Sequence, residues 1–445
     1  MRPVRPYVAL TTCVAWVALT TGYTAAATEP HVDLGGTSVP GGTGSTDRND
    51  PTRLEAGLWT DTLGDADSTD DIHYFRYDRR MQNSTLHVGV IGASSDDSDG
   101  LQVKLVAPDQ SECDSDSASP SYPASQQTFG AAVWAAASTP DGLEDLCLQA
   151  DHLGIEVERT TAGSENEDLP IAIKVVEEAP AVGVVDTEAP EDSPTVAPGD
   201  ASGGDDVAGS ASFADAPAVR TSGGHADLST TVPEGEERLY RVPLSWGQQL
   251  TVEGRIPKLD KTVYEDERGS TGAGVGIQVL GPMRNVIRDE VPGSTTSTSY
   301  TEGEVGKLST GTPPLRYLNR YDGWSAYLPG DYWISIAVDR TDPTLDPLDV
   351  PVDLAIDVTD DSGATPSYRP TVDSPSGENG PASYSPDTPF LVGPDDFSAV
   401  ASGSPLPPED ADGGGWGTRR YAGLALVVAG AASCAAGVWR LRRAR

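Results

Sequence analysis

The chain has 445 residues and a formal net charge of −38, from 68 Asp and Glu against 30 Lys and Arg. That balance argues against nucleic acid as a partner, because the phosphate backbone would be repelled, and against extended docking on anionic lipid. With 48 Gly and 36 Pro but only 5 Phe and 3 Met, the composition excludes a helical protein and fits short strands, many turns and polar linkers.

The N-terminus reads as a secretory signal peptide over residues 1–27. Arg2 and Arg5 precede an apolar run from Tyr7 to about Leu19, and Ala25-Ala26-Ala27 supplies a small-residue cleavage site. Cys13 follows Thr12 and would truncate the apolar core, which disfavours a lipid-attachment reading. Residues 28–52, rich in Gly, Thr and Ser, are expected to be a disordered linker.

Residues 53–178 then show period-two apolar runs, among them Leu86-His-Val-Gly-Val-Ile91 and Leu101-Gln-Val-Lys-Leu-Val106. Runs of this length bounded by Gly, Asp, Ser and Pro predict half-buried strands and a β-sandwich. Residues 179–209 form an acidic Pro/Gly linker. A second sandwich is expected over residues 210–361, with alternating runs at Leu250–Ile256 and Tyr332–Val338. Residues 362–417 return to Pro, Ser and Gly and read as a stalk.

The last segment predicts a transmembrane helix over residues 418–440 and a cytoplasmic tail over 441–445. From Tyr421 to Trp439 there is no charge, and Arg440, Arg442, Arg443 and Arg445 follow. Nineteen helical residues span about 28 Å, the thickness of a bilayer core. Arginines at the C-terminal end keep the tail inside, so everything before the helix is expected outside the cell membrane, as in a single-pass type I protein. The fold expectation is all-β: two tandem jelly-roll-like β-sandwich domains outside the membrane, plus this one helix.

Two cysteines are left in the exported region, Cys113 and Cys147. An even number in an oxidising compartment predicts a disulfide within the first sandwich. Closing a loop of that length contributes roughly 4 kcal/mol in the chain-entropy model. Because a polar linker separates the sandwiches, loss of the bridge is expected to weaken only the first.

The sandwiches match each other in order. Each opens with a tyrosine strand, Asp70-Asp-Ile-His-Tyr-Phe-Arg-Tyr77 and Gly235-Glu-Glu-Arg-Leu-Tyr-Arg-Val242. Each has a strand ending in proline, at Pro108 and Pro282, and each closes with Asp-x-Pro, at Asp168 and Asp349. Ordered matches of this kind read as a duplication. The pattern, and Leu328-Pro-Gly-Asp-Tyr-Trp-Ile-Ser-Ile336 above all, resembles bacterial pre-peptidase C-terminal domains, β-sandwich modules of secreted enzymes. The first sandwich departs from it at Ala150-Asp-His-Leu-Gly154. Tyr240-Arg-Val-Pro-Leu-Ser-Trp-Gly-Gln-Gln-Leu250 and Asn319-Arg-Tyr321 resemble ectodomain segments of actinobacterial membrane proteins that carry a von Willebrand factor A domain; that domain itself is absent, since no D-x-S-x-S motif occurs. The resemblance implies a sandwich fold, and in some members binding of calcium or matrix polymers.

Catalytic motifs are missing. There is no H-E-x-x-H, P-loop, dinucleotide fingerprint or C-x-x-C. Gly199-Asp-Ala-Ser-Gly-Gly204 is superficially similar to a serine-protease motif, but Ala201 breaks the spacing. The histidines have no ligand spacing, and His73 and His87 read as surface or strand residues. Asp65, Asp67, Asp70 and Asp71 in one loop and Asp96, Asp97 and Asp99 in another could offer oxygens to calcium, with a solvated acidic turn as the simpler reading. Trp246, Trp324, Tyr327 and Trp333 are candidate binding aromatics or core residues. The expected function is a non-enzymatic interaction or accessory subunit at the outer membrane face, meeting a membrane or cell-wall partner. The alternatives are a surface hydrolase and a calcium-dependent polymer-binding module.

Overall fold

The computed structural model describes residues 32–393 except 67, 95–97, 121–126, 136–145, 163–167, 184–200, 262–271, 289–290, 292, 341–343 and 361–364. The expected signal peptide and the expected membrane span lie outside the described residues. Among the described residues no helix is long and apolar enough to cross a membrane.

The architecture is all-β. The first module contains β1 (Gly57–Leu63), β2 (Ile72–Asp78), β3 (Thr85–Ser94), β4 (Gly100–Val106), β5 (Glu112–Ala118), β6 (Gln127–Ala135), β7 (His152–Thr161) and β8 (Leu169–Glu178). The second contains β9 (His225–Pro233), β10 (Glu237–Leu244), β11 (Gln248–Ile256), β12 (Ala273–Leu280), β13 (Ser297–Tyr300), β14 (Gly306–Gly311), β15 (Gly330–Val338) and β16 (Asp349–Asp360). Sheet order in the first module is β1-β8-β3-β6 against β2-β7-β4-β5. In the second it is β9-β16-β11-β14 against β10-β15-β12-β13. Adding eight to each strand number converts one module into the other. Even the short lead-ins repeat, since Thr37–Ser38 pairs in parallel with β1 and Asp205–Asp206 with β9.

Each module has its own apolar core, filled by the period-two residues of both its sheets. Phe75, Tyr77, Val88, Val90, Val103 and Ile155 are among those in the first, and Tyr240, Val252, Ile277, Tyr332 and Ile356 in the second. In β2 the alternation is clean, with His73, Phe75 and Tyr77 buried and their neighbours half-buried.

The modules are not separate beads. The outer face of β1-β8-β3-β6 packs on the outer face of β10-β15-β12-β13, so the molecule is a stack of four sheets. Leu58, Ile91, Ala93 and Ala172 meet Leu239, Leu280 and Trp333 in one apolar cluster. Strands β3 and β15 are consequently buried at every position. The strands expected to be half-buried therefore have both faces covered where they lie inside the stack.

Two strand glycines permit this contact. A Cβ at Gly89 of β3 would lie 1.7 Å from the Met283 carbonyl oxygen, and one at Gly130 of β6 would lie 2.1 Å from that of Arg284. Glycine in a strand interior here marks close approach of another backbone. The approaching loop turns at Gly281–Asn285, with Arg284 at φ 68. The Arg284 guanidinium sits 3.7 Å over Phe213 and 4.3 Å over Trp333.

The flanking segments depart from the sequence expectation. Within 28–52, expected to be disordered, Val32, Leu34 and Val39 are buried, and Asp33 bridges to Ser212 of the second module's lead-in. Gly44 donates to the buried Asp61 carboxylate, which also holds His73 at 2.6 Å. Within the expected stalk, the chain returns to the first module: Ser367–Tyr368 pairs with Ala181–Gly183, and Phe390–Leu391 pairs with the end of β8. Scattered apolar residues among many polar ones, too few to form a core of their own, supply this packing.

Candidate functional site

The site forms around the free edge of β6. An edge strand presents backbone groups with no ladder partner, and these must be covered or hydrogen-bonded. Strand β5 reads Glu112-Cys-Asp-Ser-Asp-Ser-Ala118, so Asp114 and Asp116 fall on one face, two residues apart. That spacing matches the repeat of the β6 edge. Asp114 accepts from the Trp134 N–H at 2.9 Å, and Asp116 accepts from the Ala132 N–H at 3.1 Å. Further along the same edge the second module takes over: Val286 N–H donates to the Gly130 carbonyl at 3.0 Å, and Glu237 accepts from the Thr128 N–H at 2.8 Å.

The Cys113–Cys147 disulfide ties β5 to the helical turn Leu146–Gln149. The predicted bridge is thus present, and it anchors the strand that carries both aspartates.

A cleft of about 490 Å³ opens beside this edge, between the modules. Its size lies within the range of small-ligand sites. Asp114, Asp116 and Trp134 line it from the first module, and Asp322, Trp324 and Tyr327 from the second. The Trp134 indole is half-buried and meets Tyr321 edge-on, with ring centroids 5.4 Å apart. Burial pushes the Asp114 carboxyl up, against the pull of its backbone hydrogen bonds. Burial likewise raises the Tyr327 hydroxyl.

The second module's half of the cleft is held by the 3-10 turn Tyr317–Tyr321. Asn319 donates its side-chain amide to the Pro314 and Ala326 carbonyls, both at 2.9 Å, and accepts from the Trp324 N–H. Gly323 takes φ 82 in the following bend, a left-handed conformation that glycine adopts without strain.

Beneath the cleft lies a fully buried ion pair across the modules. Arg320 donates to Glu178 at 2.7 and 3.3 Å, and its guanidinium lies 3.8 Å over the Tyr317 ring. His87 at 2.8 Å and the Tyr368 hydroxyl at 2.8 Å complete the Glu178 shell. Burial alone would raise the Glu178 carboxyl, but Arg320 and the hydrogen bonds from His87 and Arg320 hold it at about 2. Burial lowers the His87 imidazole, so it sits neutral and donates to Glu178. Its neighbour Glu177 is equally buried and accepts from the Tyr77 hydroxyl and the Met81 N–H within the first module. Glu237 differs: its acceptors face the Thr128 hydroxyl, the Thr128 N–H and the Ser335 hydroxyl, and burial pushes its carboxyl up.

The residues singled out from sequence are distributed unevenly. Trp324 and Tyr327 line the cleft, Trp246 packs near Tyr317, and Trp333 is wholly buried between the modules. His73 and His87, expected as surface or simple strand residues, are both buried and paired with Asp61 and Glu178. Of the calcium candidates, Asp67, Asp96 and Asp97 lie outside the described residues. Asp99 is buried and paired with Arg159 at 2.6 Å, so its oxygens are committed. The Asp70 carboxylate accepts from Ser68 within its own turn. Asp65 and Asp71 use main-chain carbonyls, accepting from Ser68 and Arg159. Among the described residues no group of three or more His, Cys, Asp or Glu is placed to hold a metal ion. Sequence reading missed Trp134, Glu178, Glu237 and Arg320. A strand histidine and a Glu-Glu pair ending a valine-rich strand were the available signals.

No family model matches the chain, and no curated protein matches it. Solved structures with similarity include the lysozyme inhibitor PliG of Aeromonas hydrophila, at 17% identity over 32% of this chain and 95% of that one, TM-score 0.17. The tandem CBM22 domains of Xyn10C from Paenibacillus barcinonensis are 10% identical over 69% of this chain and 92% of theirs, TM-score 0.17. The ANX1 ectodomain from Arabidopsis thaliana is 9% identical over 75% and 97%, TM-score 0.20. Likenesses at these scores carry no functional inference.

Proposed function

We propose that the chain is a membrane-anchored protein of a bacterial cell surface, non-enzymatic, that presents its stacked modules outside the membrane as a binding or accessory unit. The strand order repeated in both modules supports a jelly-roll reading of each. The signal-peptide pattern, the terminal apolar run and the arginine tail support the anchoring, and the disulfide fits an oxidising compartment. A pre-peptidase C-terminal-like origin of the modules belongs to the same reading.

The observation that carries the binding role is the cleft between the modules, with aromatic rings from both. Its two strand carboxylates already accept backbone N–H groups, His87 is fully buried beneath it against Glu178, and His73 is buried against Asp61. That arrangement favours recognition over acid–base chemistry, which needs a nucleophile and base in mutual reach. The test is a photocrosslinking amino acid placed at Trp324, compared with one at Lys104 on the outer sheet, in intact cells. A discrete partner captured from position 324 alone supports the role; equal capture at both positions, or none at either, contradicts it. Protease treatment of whole cells checks the anchoring, which predicts loss of the modules and survival of the C-terminal fragment in the membrane.

A further inference from the structure

We propose that the cleft between the modules receives a basic side chain, a lysine ammonium or an arginine guanidinium, presented by a partner peptide. The inference rests on the binding role and names its ligand class.

Three observations converge on it. First, the walls are aromatic: Trp134, Trp324 and Tyr327 line the cleft from both modules. Ring faces carry negative potential and attract cations, more strongly where water is partly excluded. Second, the unbalanced charge is negative. Arg320 is fully buried against Glu178, and Arg288 lies along the rim strand, 3.8 Å from Asp116 and donating to the Ser117 carbonyl. Asp114 and Asp322 make no ion pair with the described residues, and Asp114 is partly desolvated. Third, the Tyr327 hydroxyl, on a side chain 5% exposed, has no hydrogen-bond partner among the described residues. A buried polar group normally has a partner. A donor group would supply one here, because the phenol oxygen accepts, and the Asp114 and Asp322 carboxylates, which only accept, select a donor over an acceptor. An ammonium or guanidinium is such a group. The chain's charge of −38 adds long-range attraction for a basic partner.

A neutral saccharide could stack on the same rings but would not use the carboxylates' charge. The experiment therefore uses three probes with the intact chain: acetyl-Gly-Lys-Gly-amide, its ε-acetyl-lysine analogue, and chitotetraose. Binding is read by tryptophan fluorescence and calorimetry at physiological salt. The lysine peptide is expected to bind at least tenfold more tightly than the ε-acetyl analogue. Trp324→Ala and Asp322→Asn should each weaken it tenfold or more; the second is an exposed rim change that leaves packing intact. A double change at exposed Asp205 and Asp206, Asp205→Asn with Asp206→Asn, should weaken it less than twofold. Equal binding of the acetylated analogue, equal losses from the Asp205 and Asp206 control, or binding of chitotetraose alone would overturn the proposal. No peptide binding together with position-specific crosslinking at Trp324 would refute the ligand class and leave the binding role standing; failure of both would remove both.

Discussion

Strand β2, on an outer sheet, alternates buried and half-buried residues along its length, whereas β15, on an inner sheet, is buried at every position. The two strands lie in sheets of duplicated topology, where the direct counterpart of β15 is β7, which also alternates half-buried and buried residues before its exposed end. The difference comes from what covers the second face. An outer sheet needs only polar side chains there, because water satisfies them. An inner sheet must offer small residues, apolar residues, or polar groups whose partners are built in. Gly89 and Gly130, Ile91 and Ala172, and the Glu178–Arg320 pair are the three kinds of answer. The comparison implies that substitutions on the shared face weaken the whole stack, and that comparable changes on outer faces do little.

The largest effect is expected at Arg320. Arg320→Ala leaves Glu178 buried without its countercharge and removes the stack on Tyr317, which should cost roughly 3–5 kcal/mol in chemical denaturation. A loss under about 1 kcal/mol would mean that water reaches this pair and that the junction is loose. Gly130→Ala comes next. Its Cβ would collide with the Arg284 carbonyl, and overpacking of this kind typically costs about 1–3 kcal/mol. Small-angle scattering should show the modules shifted or parted; an unchanged profile and stability would refute the close approach.

Acidification is a milder probe of the same face. His87 is lowered from 6.5, so the folded state binds fewer protons there than the unfolded chain. Its contribution is present above about pH 6.5 and fades as pH falls through that value. Glu178, held at about 2 against an ordinary 4.5, behaves alike at lower pH, its contribution fading as pH falls from 4.5 toward 2. Glu237 opposes them, since its raised carboxyl favours the folded state as pH falls. Melting temperature should therefore drop between pH 7.5 and 5.5, the range in which the unfolded chain takes up a proton at His87, and His87→Gln should flatten that drop. An equally steep drop in the variant would assign the pH response elsewhere. The smallest effect belongs to the outer face: Lys104→Ala removes a half-exposed contact to Glu158 at 3.9 Å and should change stability by no more than about 0.5 kcal/mol.

The same contrast explains how much was legible in the sequence. Period-two runs such as Leu101–Val106 and Tyr332–Val338 report the core face of a strand directly, so the all-β class and the strand positions could be read. The disulfide followed from cysteine count and the expected oxidising compartment. The second face of an inner strand leaves a weaker trace. His87 and Gly89 look like ordinary breaks in an alternating run, and only the partner backbone reveals why those residues suit it. Arg320 and Glu178 are 142 residues apart, and nothing local in either predicts the other. The cleft was half legible, because Trp324 and Tyr327 stand out as aromatics near a turn. Asp114 and Asp116 stand among other polar residues between two cysteines, where nothing local shows that their two-residue spacing fits the edge of a strand in the opposite sheet.

The two modules are packed sheet on sheet as one stacked unit. Scanning calorimetry of the intact chain and of Cys113→Ser tests it most directly. Loss of the bridge should remove roughly 2–5 kcal/mol from the first module. If the sheets are stacked as described, the wild-type chain melts in a single transition and Cys113→Ser moves that whole transition down. Two separate transitions, of which Cys113→Ser lowers only one, would contradict the account.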